Sequence, residues 1–410
     1  MTFFLRCYPT IPHLINDLFG TDLKFPVYSF GFFLALAIFT AAIVLTREMK
    51  RKEKQGLLPP SYENVIKGEP AKPLDLLTSA IIGFLLGFKI IGAAFQYDLF
   101  VSNPQDFLIS GEGSLIGGIF GAILLAINKF YEKKKQLLDK PITERIEIFP
   151  SDRVSDITII AAITGVLGAK LFHNLEYWED FMANPVSGLI SFSGLSIYGG
   201  LVVGAACVIW YAAKKGIKII HLADAVAPAL IISYGVGRIG CQISGDGDWG
   251  IDNLMPKPEW MSFLPDWIWS YNYAYNVNGD GNPIVGCGGK FCFMLENPVF
   301  PTPLYETAMA FIIFGVLWFL RKKITTPGRI MALYLILNGI ERFWIEKIRV
   351  NIPYHIGGYE ITQAEIISVC FFLGGLFLWW WTGKKYQAES KDKKEMKRSL
   401  GRWRARSTAR

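Results

Sequence analysis

The residue types and spacings best suited to chemistry fall in two clusters of the 410-residue chain. The first is Tyr234-Gly-Val-Gly-Arg-Ile-Gly-Cys-Gln-Ile-Ser-Gly-Asp-Gly-Asp-Trp-Gly250, a helix end running into a glycine-rich loop. Its glycines, Gly250 among them, permit tight turns and close approach of backbone to a ligand. Backbone N–H groups in such a loop can cradle an anion, and Asp246 and Asp248 add carboxylates. The run lacks the Gly-Lys-Ser/Thr of nucleotide-hydrolase phosphate loops and the ligand ladder of calcium loops. The second cluster is Glu341-Arg-Phe-Trp-Ile-Glu-Lys-Ile-Arg349. Arg342, Glu346 and Arg349 follow spacings of four and three and so share a helix face. Exposed, such a ladder is worth about 0.3–0.5 kcal/mol per pair. At the edge of an apolar span it reads instead as a phosphodiester clamp, because guanidinium binds phosphate oxygens bidentately.

The elements that must position these clusters are membrane spans. Hydrophobic residues make up 51% of the chain and charged residues only 19%, which excludes disorder and argues against a soluble multidomain protein. Six cysteines in 410 residues exclude a disulfide-framework mini-protein. Nine segments approach the roughly 20 apolar residues that a spanning helix needs: 27–46, 75–93, 114–128, 156–173, 194–213, 219–238, 304–320, 329–346 and 363–383. The expected fold is an all-α polytopic membrane protein. Of 42 Lys and Arg, alternate connections (47–73, 129–155, 214–218, 321–329 and 384–410) hold 32, and the others hold six. That asymmetry predicts an extracytoplasmic N-terminus and a cytoplasmic C-terminus. Residues 1–26 lack the pattern of a cleaved signal and read as an outer segment. Residues 27–383 form the transmembrane domain, with an outer region at 241–303. Residues 384–410 form a basic cytoplasmic tail.

Four basic residues fall inside spans: Lys89, Lys170, Arg238 and Arg342. Three of them belong to a repeat. Asp75 precedes Lys89, Asp156 precedes Lys170 and Asp224 precedes Arg238, each by 14 residues. A Gly-Gly pair follows 28 residues after Lys89 (Gly117-Gly118) and 29 after Lys170 (Gly199-Gly200). The spacing predicts a duplicated helix pair, with 75–130 as one copy. Intramembrane charges are costly and usually face a polar cavity, although a lysine near a helix end can snorkel to headgroups. Cys287 and Cys292 are spaced compatibly with a disulfide in an oxidising space.

Four motifs in this order resemble the bacterial prolipoprotein diacylglyceryl transferase family. They are Gly194-Leu-Ser-Ile-Tyr-Gly-Gly-Leu201, Gly237-Arg-Ile-Gly…Gly-Asp-Gly-Asp-Trp-Gly250, Pro303-Leu-Tyr-Glu306 and Arg342-x-x-x-Glu346-x-x-Arg349. The resemblance covers about 27–46 and 156–383. Departures from the family pattern are Tyr198 in place of a His, Cys241 in place of an Asn, one extra residue in the loop, and the helix pair 75–130 beyond a seven-span core.

The resemblance implies transfer of diacylglyceryl from phosphatidylglycerol to the lipobox cysteine thiol of a prolipoprotein, in a bacterial cytoplasmic (inner) membrane with the site toward the extracytoplasmic side. The nucleophile is the substrate's thiolate, and the leaving phosphate calls for fixed positive charge. Arg238 and Arg342 are the candidates for that charge, supported by Arg349 and Lys170. Something must accept the thiol proton; Glu346, Asp246 and Asp248 are all candidates. Tyr198 would hydrogen-bond the glycerol or phosphate, and Gly199, Gly200, Gly250 and Glu306 would line the substrate site. The chemistry calls for no metal or nucleotide cofactor, and no nucleic acid partner. The rival readings are a phospholipid transporter or flippase and a non-catalytic relative.

Overall fold

The computed structural model describes residues 6–102, 104–190, 194, 196–351, 353–356 and 358–407. They fold as two compact units. The first gathers residues 6–23, 27–58 and 217–407; the second holds 24–26 and 59–216. Among the described residues fourteen α-helices dominate, and eight of the helical segments are long and apolar enough to cross a membrane. The chain is therefore an all-α, multi-pass membrane protein, with three two-stranded antiparallel ribbons as its β-structure among the described residues.

The first unit contains α1 (Ile11–Phe19) and α2 (Ser29–Lys54) from the N-terminal part of the chain. From the C-terminal part it contains α11 (Ile219–Ser244), α12 (Thr302–Leu320), α13 (Arg329–Glu346) and α14 (Gln363–Ser407). Small residues let these helices approach: Ala227 and Ala310 are fully buried beside Ile231, Ile313, Leu317 and Ile330. Helix α11 packs on α2, α12 and α13, while α13 also packs on α14. The segment expected at 329–346 is α13, but Arg329, Glu341, Arg342 and Glu346 leave it more polar than the eight spans. Its first turn is tied down by Asp224, whose carboxylate accepts Gly328 N at 2.8 Å and Met331 N at 3.1 Å. Lys52 lies 3.6 Å from the same carboxylate. Beside it, buried Glu48 pairs with Arg51 at 2.8 Å and Arg321 at 2.6 Å. The basic tail continues α14 as helix to Ser407.

The connection from α11 to α12 carries β3 (Asn282–Pro283) and β4 (Phe293–Met294). Cys287 and Cys292 are joined by a disulfide. Tyr271, Tyr273 and Val299 of this connection bury themselves with Cys7 and pack against Trp249. Between α13 and α14 lies the hairpin β5 (Tyr354–Ile356) and β6 (Tyr359–Ile361).

The second unit shows the duplication predicted by the spacing. Helix α3 (Pro73–Phe95) packs on α6 (Leu115–Lys135), and α7 (Val154–Glu176) packs on α10 (Ile197–Lys214). In each copy glycines bring two backbones into direct contact. A Cβ on Gly87 would lie 2.1 Å from Gly117 O, and one on Gly199 would lie 2.5 Å from Gly168 O. Small residues at such crossings are how membrane helices associate closely. Short helix pairs bridge the partners: α4 (Tyr97–Ser102) with α5 (Pro104–Ile109), and α8 (Trp178–Ala183) with α9 (Pro185–Ile190). Strands β1 (Ser61–Lys67) and β2 (Ile142–Ile148) pair on either side of the α3–α6 excursion. Lys89 is spent within its own copy, where Nζ donates to Phe107 O (2.6 Å), Ser110 O (2.6 Å) and Glu112 O (2.8 Å).

Candidate active site

The two chemical clusters meet in the first unit. Helix α11 carries Arg238 nearly two turns before its end, α12 carries Glu306 in its first turns, and α13 carries Arg342 and Glu346 near its last. Arg349 follows α13, and a backbone bridge places it opposite Gly250. Gly250 N donates to Phe300 O and Ile251 N to Ile348 O, both at 2.9 Å. A Cβ on Gly250 would sit 2.4 Å from Ile348 O, so this crossing requires glycine. The strand-like contact thereby fixes Asp248 next to Arg349.

Glu306 is the hub. It is fully buried, and Oε1 receives Arg349 Nη1 at 3.0 Å and Arg342 Nη1 at 3.2 Å. Its other oxygen pairs with Arg238. Asp248 closes the ring: one oxygen pairs with Arg238 and the other accepts Arg349 Nη2 at 2.9 Å. Thr302 Oγ1 holds the Asp248 carbonyl at 2.9 Å. Glu346 pairs with Arg342 at 3.0 Å, while its second oxygen accepts Asn351 Nδ2 at 2.5 Å and Thr362 Oγ1 at 2.8 Å. Three guanidiniums are thus interlocked with three carboxylates. Buried charges persist only when paired in this way. The Nε–H groups of Arg238 and Arg349 are buried and have no hydrogen-bond acceptor. They are unspent donors beside guanidiniums whose other nitrogens are engaged in ion pairs.

The loop carboxylates are set apart by their surroundings. Burial raises the Asp246 carboxyl above the usual carboxylate range, and the neighbouring Asp248 charge adds to the shift. Burial works the same way on Asp248, but the guanidiniums of Arg238 and Arg349 outweigh it and hold that carboxyl low. No basic side chain lies within ion-pair distance of Asp246 among the described residues. Two nearby acids with opposed shifts are a common mark of divided acid and base roles. Cys241 Sγ and one oxygen each of Asp246 and Asp248 lie within 4.8 Å of one another. Both oxygens of Asp248 already face guanidiniums, so the trio belongs to the ion-pair network.

Of the residues singled out by sequence, the structure brings together Arg238, Asp246, Asp248, Gly250, Glu306, Arg342, Glu346 and Arg349. Tyr198, Gly199, Gly200 and Lys170 belong to the second unit. There Lys170 is buried on α7, Tyr198 stands in the first turn of α10, and Gly199 and Gly200 lie in the α7–α10 contact. Leu195 of the same motif lies outside the described residues. Sequence reading passed over Thr302, Asn351 and Thr362, which orient the carboxylates. Thr302 immediately precedes Pro303-Leu-Tyr-Glu306, a usable signal; Asn351 and Thr362 have none. Glu341, which opens the second cluster but has no role assigned there, is a buried acid beside Arg342.

Known proteins resemble this chain in sequence. A family model described as prolipoprotein diacylglyceryl transferase matches residues 136–381. Among curated relatives, a phosphatidylglycerol–prolipoprotein diacylglyceryl transferase of Corynebacterium glutamicum is 30% identical over 231 residues, covering 55% of this chain and 68% of the relative. Proteins of the same description from Shouchella clausii and Prochlorococcus marinus subsp. pastoris are 28% and 27% identical. The first spans 56% of this chain and 75% of its own length; the second spans 68% and 93%.

Proposed function

Because the chain belongs to the prolipoprotein diacylglyceryl transferase family, we propose that it transfers diacylglyceryl from phosphatidylglycerol to the lipobox cysteine thiol of prolipoproteins, the first step of lipoprotein maturation. The observation that carries the residue assignment is the ring of Arg238, Arg342 and Arg349 around buried Glu306.

The thiolate sulfur attacks the glyceryl carbon that bears the phosphate. An S–C bond forms, the C–O bond breaks, and its electron pair leaves on the phosphate oxygen as glycerol-1-phosphate. Nothing is oxidised or reduced. Arg238 and Arg342 take the phosphate oxygens, with Arg349 alongside, and stabilise the charge that grows on the leaving group. Preorganised donors of this kind contribute about 100- to 1,000-fold each. The idle Nε–H groups of Arg238 and Arg349 supply two such donors without breaking an ion pair.

Asp246 accepts the thiol proton. Asp248 is held by two arginines, and Glu346 by Arg342, Asn351 and Thr362. Asp246 is in no ion pair among the described residues, its contacts being the Asp248 N–H at 3.4 Å and the Cys241 thiol, and its raised carboxyl makes it the stronger base of the two loop acids. Glu306, Asp248 and Glu346 position the arginines. For Tyr198, Lys170, Gly199 and Gly200, a substrate contact rests on the family resemblance. Nothing in the comparisons favours a transporter.

The membrane is the bacterial cytoplasmic membrane, with the N-terminus outside and the clamp toward the extracytoplasmic face. Supporting this, the connections at the clamp end, 241–303 and 347–362, carry two basic residues each, whereas those at the opposite end are strongly basic. The test is release of glycerol phosphate from phosphatidylglycerol vesicles by protein reconstituted in them. Release should require a lipobox peptide and be lost in D246N. Release without the thiol, or full activity in D246N, would overturn the assignment.

A further inference from the structure

The connection that leaves the site at Gly250 carries an apolar tip that the transfer chemistry does not use. Leu254, Met255, Trp260 and Phe263 are 71%, 57%, 72% and 78% exposed. The backbone beneath them is nevertheless fixed. Buried Asn253 donates Nδ2 to Trp269 O at 2.7 Å and accepts Met255 N at 3.3 Å. Trp269 Nε1 donates to Met255 O at 2.9 Å. Lys257 Nζ reaches Leu264 O at 2.7 Å and Asp266 Oδ1 at 2.6 Å. With Lys257 neutralised, Glu259 is the remaining charge between residues 254 and 264.

The height of this tip is set by a spanning helix. Tyr305, in the first turn of α12, donates its hydroxyl to Ile268 O at 2.6 Å. Trp269 stands edge-on to Phe300, with ring centroids 5.4 Å apart. The base of the tip is therefore docked where α12 enters the membrane, and not far out in solvent. Helix α12 itself exposes the apolar side chains of Ile312 and Phe319. A rigid patch of this size facing water is unfavourable, and it cannot collapse inward. Aromatic side chains concentrate at the boundary between headgroups and acyl chains.

We propose that residues 254–263 form an interfacial anchor. Trp260 and Phe263, with Leu254 and Met255, sink into the leaflet at the clamp end and hold the Gly250 strand against the surface from which a lipid headgroup enters. The ligand is a phospholipid surface. The anchoring itself does not require the transfer reaction, so its test reads contact directly.

The protein is reconstituted into vesicles of phosphatidylcholine brominated high on the acyl chains, as wild type and W260F, and the Trp260 contribution is taken as the difference in emission. Bromolipid should quench that contribution and aqueous iodide should not. Separately, L254S/W260S/F263S should raise KM for vesicle-borne phosphatidylglycerol severalfold and leave kcat unchanged. All three side chains are exposed, so the fold should survive, as circular dichroism can check. Quenching by iodide but not bromolipid would overturn the proposal. So would a Trp260 signal that responds only to added lipobox peptide, which would make the tip a peptide dock.

Discussion

Replacing Glu306 with glutamine isolates the electrostatic core of the site. The side chain is fully buried and faces Arg342 at 3.2 Å, Arg349 at 3.0 Å and Arg238 on its other oxygen. Glutamine keeps the shape and one acceptor oxygen but removes the charge. Three guanidiniums then share Asp248 and Glu346. Removing one partner of a buried ion pair costs about 3–5 kcal/mol, because the survivor remains buried and uncompensated. At about 2–4 °C per kcal/mol for a larger domain, E306Q should melt roughly 6–20 °C below wild type in the same detergent. A bound phosphomonoester would return the missing negative charge. Glycerol phosphate at about 100 times its Kd would contribute about 2.7 kcal/mol, so it should raise the Tm of E306Q more than that of wild type. The assay is thermal unfolding of both proteins with glycerol phosphate, and with sodium chloride at matched ionic strength. A Tm within 2 °C of wild type would refute the hub role. Equal recovery with chloride would show simple screening, not a shaped anion site.

The remaining predictions concern single groups. R238A and R342A should each lower transfer by at least about 100-fold, and R342K should recover only part of it because a lysine cannot grip two oxygens at once; near-normal rates in correctly inserted protein would remove either residue from the clamp. The raised carboxyl of Asp246 makes the rate fall as pH drops through a value above the ordinary aspartate range, so a pH–rate profile should show an acid limb that D246N cannot recover by raising pH. Asp248 is shifted the other way, so its ion pairs support the fold above the ordinary aspartate value and are lost as pH falls through its depressed one; D248N should abolish that part of the acid destabilisation seen in melting curves. G250A should cost both folding yield and transfer, because its Cβ would meet Ile348 O and the side chains of Phe300 and Thr302. K89M should lower thermal stability by freeing three carbonyls while leaving kcat per folded molecule unchanged.

Much of the fold was legible because a bilayer leaves helices few alternatives. Spans α2, α3 and α11 lie where long apolar segments placed them, and the Asp–Lys–Gly-Gly spacing disclosed the α3–α6 and α7–α10 duplication. Helix α13 is the informative borderline case. Two of the residues that keep it from ordinary apolarity, Arg342 and Glu346, belong to the site's ion-pair ring. The β1–β2 ribbon was not legible, since its strands lie 75 residues apart (Lys67 to Ile142) with a helix pair between. Short helices such as α8 are too brief for periodicity to detect.

The site divides the same way. Spacing alone put Arg342, Glu346 and Arg349 on one face. That Glu306 would gather all three arginines depends on three helix ends meeting, which no local pattern encodes. Asp246 and Asp248 stand two residues apart in one loop and are indistinguishable by type. Their separation into a raised and a depressed acid comes first from Arg238, which pairs with Asp248, and then from the Gly250–Arg349 contact, which brings Asp248 a second guanidinium.

The most direct measurement is product formation by the purified protein and its clamp variant. Wild type and R342A in detergent would receive phosphatidylglycerol labelled in an acyl chain and a lipobox peptide, with a Cys→Ser peptide as control. Mass spectrometry should find one diacylglyceryl group on the cysteine peptide, matched mole for mole by glycerol phosphate. The serine peptide should yield none, and R342A almost none. Lipid binding without a thioether product, or equal product from R342A, would contradict the account.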